Sequence, residues 1–450
     1  MRRRNKKRTG RNKYGSTTVF LSIILTAMIL VECTCIAVMW DYDRRLETDR
    51  ALKIQLQTIL SDYNRQLFEV YGIYAFNKSK VDTKIFNRCL EANGCDYENV
   101  IRIEGVKPIT ANELKKAIAS YYTLRWGGFT AKRLINELVP FIKSIDKYDI
   151  CGKIKQLTSG QTGKYLKLVI DGKQKIDGDE EDQDFKTGEK VLGQIATLVK
   201  RSGNDLSRLS PDLSAEKLGY VADCLNAVNS YADRGQSLLS DKASKFTLAH
   251  YASYNFDCQI ENDKDETLDK TNFEDIHGEN KCDAEYILSG FEGKAGCANV
   301  ESLIFAVCFI KEYINCNTDS FLTTALPLLA DAIAGVVLVA SEGLVALDPK
   351  LVEIGLKILV AACHAAGSVS NVVDGETVSL IEKDDDKGLI NLGYRDFVFM
   401  YMCLVPEDDV SERVLNVLSR DYGELSYALT VHTSHRWDDM ERSAGYALYS

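Results

Sequence analysis

Thirteen cysteines and five histidines are the residues on which nucleophilic or metal chemistry would have to rest. His432 and His435 stand three apart where a strand-like alternation runs into a turn. No Cys or further His is near them in sequence, so they make a poor metal pair. Cys363 and His364 are neighbours on an expected helix and point in different directions, which is wrong for a nucleophile and its base. The loop Ser289 to Gly296 (SGFEGKAG) lacks the glycine spacing and the Lys-Ser/Thr pair of a phosphate-binding loop, and reads as a strand-to-helix turn. The acidic run Asp177 to Asp184 (DGDEEDQD) does not place the glycine and closing glutamate that an EF-hand loop requires. G-x-S-x-G and H-E-x-x-H are both missing. The chain is therefore expected not to be an enzyme, with no catalytic, cofactor-binding or metal residue assigned and no cofactor.

Cys33 and Cys35 fall inside a long apolar stretch. The other eleven cysteines are an odd number, so in an exported chain at least one is a free thiol or pairs with another chain. Cys89 and Cys95 flank a short glycine-containing turn and are the first expected disulfide; Cys258 and Cys282 are the second. Cys308 and Cys363 lie in apolar helical runs and read as small core residues.

The charge is split unevenly. Arg2, Arg3, Arg4, Lys6, Lys7, Arg8, Arg11 and Lys13 precede any acidic residue, and no further basic residue occurs before Asp41. Beyond that point 47 basic residues face 64 acidic ones. A body that acidic is a poor nucleic-acid partner, because phosphates need clustered Lys and Arg. Tyr14 to Val31 carries no charge, Glu32 interrupts, and Cys33 to Trp40 is again uncharged. The apolar part is long enough to cross a hydrocarbon core of roughly 30 Å as a helix. Basic residues before it and Asp41 and Asp43 after it place the N-terminus in the cytoplasm and the bulk of the chain outside the cell membrane. Trp40 and Tyr42 would form the outer aromatic belt. The stretch ends in bulky residues (AVMWDYD) where a cleaved signal peptide wants small ones.

Glu32 is the one acidic residue in the span, and a carboxylate there costs a few kcal/mol on insertion scales. Two readings stay open. It reaches the outer headgroups, or it pairs with a basic or polar group of another membrane helix.

The elements that must position these residues are mostly helices. Leu52, Leu56, Ile59, Tyr63, Leu67, Val70 and Tyr74 recur every three or four residues, and no proline or glycine intervenes from Ser16 to Tyr71. One long helix is expected, half in lipid and half on the outer domain. Residues 77–110 read as loop and strand. Helices are expected at 111–124, 129–149, 187–201, 214–238, 298–315, 320–347, 350–371, 393–404 and 408–420, and AEYIL reads as a short strand. The apolar helices between 298 and 371 are interrupted by charges often enough to be core helices rather than further spans. The chain closes on strand-like alternation, SYALTVHT and SAGYALYS, joined by a charged turn. The fold class is mainly α (α+β), with an N-terminal transmembrane helix, a largely helical extracytoplasmic domain and a few antiparallel strands. The expected segments are a basic leader 1–15, a transmembrane helix 16–40, a membrane-proximal amphipathic helix 41–76, a helical region 77–245 with the acidic loop, and a C-terminal α+β domain 246–450.

The basic leader ending in Gly15, followed by STTVFL and a long apolar helix, resembles type IV pilin-like proteins. More closely, GSTTVFLSIIL, then Glu32, then ILSDYNRQLFEVYGIYAF resembles a domain-of-unknown-function family of clostridia-type bacteria, associated with tight-adherence (Tad) pilus systems. EYILSG, VESLIFAVCFIKEYINCNTDS and GYRDFVFMYMCLV are similar to the rest of that family's pattern. The resemblance implies a pseudopilin-like or accessory component of a pilus or secretion apparatus. Its partners would be the bilayer and other pilus or membrane-platform proteins, and a peptidase would cut between Gly15 and Ser16. The fifth residue after that junction is Phe20, where ordinary pilins carry Glu. A membrane-anchored ligand-binding or sensory ectodomain is the alternative.

Overall fold

The computed structural model describes residues 13–93, 101–122, 149–158, 215–238, 243–260, 282–340, 346–380, 391–435 and 438–447. In chain order the elements are α1 (Lys13–Ser61), α2 (Arg65–Tyr71), β1 (Phe76–Asn77), a short 3-10 turn (Lys78–Lys80), α3 (Lys84–Ala92), β2 (Ile101–Pro108), α4 (Ala111–Tyr122), α5 (Ile150–Thr158), α6 (Ala215–Leu238) and α7 (Ala243–Tyr254). They continue as α8 (Asp283–Ser289), α9 (Lys294–Thr318), α10 (Ser320–Ala340), α11 (Pro349–Val373), β3 (Val378–Ser379), β4 (Asn391–Leu392), α12 (Tyr394–Met402), α13 (Glu407–Tyr422), β5 (Leu425–His435) and β6 (Asp438–Gly445). The mainly helical class with a few antiparallel strands and a long apolar N-terminal helix is the observed one. The expected helices at 129–149 and 187–201 and the acidic run Asp177 to Asp184 lie outside the described residues.

Two compact units divide the chain. The first is drawn from Met1–Glu69, Ile73–Ile109 and Gly423–Ser450; the second from Val70–Gly72 and Thr110–Tyr422. The last 28 residues thus group with Ile73–Ile109, not with the helices of the expected 246–450 domain.

In the first unit α1 is unbroken for 49 residues, but it stops at Ser61 rather than running on to Tyr71. Asn64 explains the stop. Its side-chain oxygen accepts from the Leu67 N–H (3.2 Å) and its own N–H donates to the Ala75 carbonyl (2.9 Å). An Asn held that way caps a new helix and ends the old one. Residues 77–110 contain a helix as well as strand, because Asp82 caps Lys84 (2.8 Å) and Phe86 and Leu90 share one buried face. β5 is the central strand: β1, β2 and β6 all pair with it antiparallel. Asp438, Asp439, Glu441 and Arg442, expected as part of a charged turn, belong to β6 itself, since Met440 reaches the core while Asp439 and Glu441 point outward. Gly105 sits at φ +62° where the β2–β5 register slips, the left-handed position a bulge gives to glycine. Ala51, Leu52, Leu56 and Ile59 of α1 pack with Phe76, Phe86, Leu90, Leu429, Val431 and Met440 to make the core.

The second unit is helical around α9, whose Val300, Leu303, Ile304 and Val307 are fully buried and which packs along α11. The expected helices at 111–124, 214–238, 298–315, 320–347, 350–371, 393–404 and 408–420 appear as α4, α6, α9, α10, α11, α12 and α13. AEYIL, expected as a strand, is helix α8. Two arginines hold it there: Arg420 binds both carboxylate oxygens of Asp283 (2.9 and 3.1 Å), and Arg413 donates to the Ile287 and Leu288 carbonyls (2.9 and 2.7 Å). Within SGFEGKAG only residues 290–293 form a turn, and it joins helix to helix, with Gly290 at φ +80° closing α8.

A polar strip crosses the apolar packing of α9 on α11. The Glu312 carboxylate faces His364 Nδ1 at 3.4 Å, and Lys357 Nζ bridges Glu353 (2.7 Å) and Asn317 (3.0 Å). Burial pushes the Glu312 carboxyl up, but His364, Lys311 and Asn315 together outweigh it, leaving its pKa below the ordinary 4.5. A depressed carboxyl stabilises the fold above its unfolded value and loses that contribution as pH falls through the folded one. Glu312→Gln should therefore lower the melting temperature of the full chain at pH 7. The gap to wild type should close as pH drops below 4.5, read by thermal unfolding across a pH series.

Candidate functional site

α1 is one helix with two environments. Every residue from Thr17 to Asp43 is exposed, including Leu21 at 65%, Leu30 at 63% and Trp40 at 65%. A contiguous apolar surface of that length calls for lipid or a partner, because apolar area left in water forfeits about 25 cal/mol per Å². Three of its hydroxyls are bonded within the helix, without water. Ser22 Oγ donates to the Val19 carbonyl (2.9 Å), Thr26 Oγ1 to Ser22 (2.7 Å) and Thr34 Oγ1 to Leu30 (2.6 Å). Such back-bonding suits hydrocarbon, where each unmade hydrogen bond is expensive. At the far end the Arg44 guanidinium stands 5.8 Å from the Trp40 ring centroid, a cation–π pair of the kind an interface favours.

Beyond Arg44 the same helix turns into a core element. Thr48, Ala51, Leu52, Gln55, Leu56 and Ile59 are buried, at spacings of three and four. Gln55 is the polar member and both ends of its amide are used: Nε2 donates to the Asp82 carbonyl (2.6 Å) and Oε1 accepts from the Phe86 N–H (2.8 Å). The Arg442 guanidinium binds both Asp49 carboxylate oxygens (2.7 and 2.8 Å) and holds the Asp49 carboxyl below its ordinary range. The Tyr446 hydroxyl adds a bond to the Leu60 carbonyl (2.9 Å).

The residues singled out from the sequence do not converge. Gly15 and Ser16 lie in the first turn of α1. Glu32 is exposed further along it, with no hydrogen bond or ion pair reaching it among the described residues, and the free thiols Cys33 and Cys35 follow at once. Cys89 is a half-buried free thiol on α3; its expected partner Cys95 lies outside the described residues. The expected Cys258–Cys282 bridge is corrected: Cys282 pairs with Cys297, and Cys258 is a buried thiol. The bend between α8 and α9 brings Cys297 to Cys282, and nothing in the local sequence announces it. His432 faces Glu441 across the strand pair at 3.3 Å, and no metal-binding group among the described residues includes His432 or His435. Cys308 and Cys363 are buried as expected of core residues, and His364 is buried against Glu312.

By length and composition two helices could cross a membrane, the N-terminal one from Thr17 and α11. α8 and α9, bent by 68° at their break, would also pass if taken as one broken span. More than half of the apolar window of α11 is buried inside the protein, whereas none of the window in α1 is. No family model, curated protein or solved structure matches the chain.

Leu30→Arg puts a charge near the middle of the bare stretch, at an insertion cost of about 2.5–3.5 kcal/mol. The variant should leave the carbonate-resistant membrane fraction in proportion, while Arg50→Glu, on the exposed side of the docked half, should stay membrane-bound. Equal retention of both would show that the bare stretch is not in lipid.

Proposed function

We propose that this chain is a non-enzymatic cell-envelope protein, a pseudopilin-like or accessory component of a Tad-type pilus or secretion apparatus. It would be held by a single membrane pass, with its N-terminus in the cytoplasm and the rest of the chain extracytoplasmic. One observation carries the reading: a single unbroken helix is bare and apolar over its first half and part of a folded core over its second. A cleaved or purely anchoring segment has no need to continue rigidly into the domain. A helix that must transmit position from the bilayer to an outer assembly does.

The basic residues ahead of the helix orient it during insertion. A cut at Gly15–Ser16 would then remove them and leave the helix as sole anchor. With Phe20 at the fifth position, no carboxylate is available where ordinary pilins carry one. Glu32 lies three turns deeper and would meet a polar group on a neighbouring membrane helix at a different level. An unpaired carboxylate in hydrocarbon is costly enough that a pairing partner in the assembly is its natural use. α11 serves as a core helix in this reading.

Mass spectrometry of the mature N-terminus, on protein purified from its native membrane with whatever co-purifies, tests the proposal. It expects a chain beginning at Ser16 and pilus or platform proteins in the same fraction. An intact Met1 with no such partners would sink it.

A further inference from the structure

Glu285 is fully buried in the first turn of α8. Its Oε1 accepts from the Gln259 backbone N–H (2.8 Å) and from the Cys258 thiol (3.2 Å). Its Oε2 is equally buried and finds no hydrogen bond of good geometry, while the Tyr394 hydroxyl, which donates to Gln259 Oε1 at 3.3 Å, also bears on this carboxylate. Two arginines distant in sequence reach this region but are engaged elsewhere: Arg395 Nη1 donates to the Ser253 and Tyr254 carbonyls (3.4 and 3.2 Å), and Arg420 binds Asp283. No ion pair reaches Glu285 among the described residues. A buried carboxyl is protonated, paired or bound to metal.

Two sulfurs stand beside that carboxylate. The Sγ atoms of Cys282 and Cys297 and a carboxylate oxygen of Glu285 lie within 4.8 Å of one another. The backbone is shaped to allow this. Gly296 lies so close to α8 that a Cβ on it would stand 2.5 Å from the Phe291 carbonyl oxygen and 3.5 Å from the Glu285 Cβ. Only glycine lets α9 start there and present Cys297 to Glu285. In the structure the two sulfurs are joined as a disulfide, so neither is a thiolate beside the Glu285 carboxylate.

We propose that reduction of the Cys282–Cys297 disulfide opens a site for a divalent metal ion of the zinc type, bound by the two thiolates and Glu285 Oε2. Two sulfurs and one carboxylate suit zinc, with water in the fourth tetrahedral position. Cys258 and the Gln259 N–H hold Oε1 from behind and so orient the carboxylate, as outer partners of a metal ligand do. The two states exclude each other, because a sulfur within the disulfide is not a thiolate ligand. The step balances with a dithiol reductant. Its two electrons and two protons go to Cys282 and Cys297, the protein S–S bond breaks, and an S–S bond forms in the reductant. When the ion binds, the two thiol protons leave to solvent. The second unit alone carries this site, so it stands apart from the pilus reading.

The test is an anaerobic Co(II) titration of the full chain in detergent, after dithiol reduction and removal of the dithiol. Reduced wild type should take up a single tight equivalent with a thiolate-to-metal charge-transfer band, displaced by Zn(II). The oxidised protein should show no such band. Cys282→Ser combined with Cys297→Ser should abolish it. Glu285→Gln keeps an acceptor for the Gln259 N–H and should weaken binding by at least about tenfold; Cys258→Ser, a change behind the ligand, should cost about 10–100-fold at most and leave the band in place. Zinc-edge X-ray absorption on reduced wild type needs no variant and should find two sulfurs with oxygen neighbours. The same band in the double variant, no band in reduced wild type, unchanged affinity in Glu285→Gln, or a four-sulfur shell would each overturn the proposal.

Discussion

The first unit depends on how the Gln55 turn of α1 is held. There a helix with nothing around it becomes a helix surrounded by protein. Leu52, Leu56 and Ile59 supply the apolar contact, at about 1.5–3 kcal/mol for each fully buried aliphatic side chain. The Gln55 amide fixes the register, because the Phe86 N–H that it satisfies would otherwise be buried unpaired. The Asp49–Arg442 bond lies just before this set and the Tyr446–Leu60 bond just after it, so rotation of the helix about its axis would break all of them together. The bare half inherits that fixed rotation, since no residue between Ser16 and Ser61 breaks the helix.

That division was legible in the sequence where composition alone decides. A run free of charge, followed by apolar residues every three or four, specifies an exposed apolar rod continuing into an amphipathic one. The large apolar helices of the second unit were legible for the same reason. Sequence reasoning failed where a distant partner decides a short segment. AEYIL alternates like a strand, but Arg413 and Arg420, more than a hundred residues away, bind its ends as a helix. α1 ends at Ser61 because Asn64 is tied to Ala75. The charged start of β6 looked like a turn because its pairing with β5 is invisible in local composition.

The cysteines show the same limit on the chemical side. Cys258, Cys282, Cys297 and Glu285 are spread over forty residues with no metal-ligand spacing between them. A helix break at Gly290–Gly293 and a missing Cβ at Gly296 put them together. Glu285 gave no signal of its own, since an acid in the first turn of a helix is ordinary. Glu32 is the contrary case: visible at once as a carboxylate in an apolar run, and without an internal partner among the described residues.

The account stands on the claim that the bare half of α1 lies in a bilayer while the docked half does not. Single cysteines placed at Leu21, Leu25, Arg50 and Ile54 in a background without other reactive thiols, probed in intact membranes with an impermeant maleimide, measure this directly. Labelling is expected at positions 50 and 54, with positions 21 and 25 reacting only after detergent is added. Equal labelling at all four positions in intact membranes would contradict it.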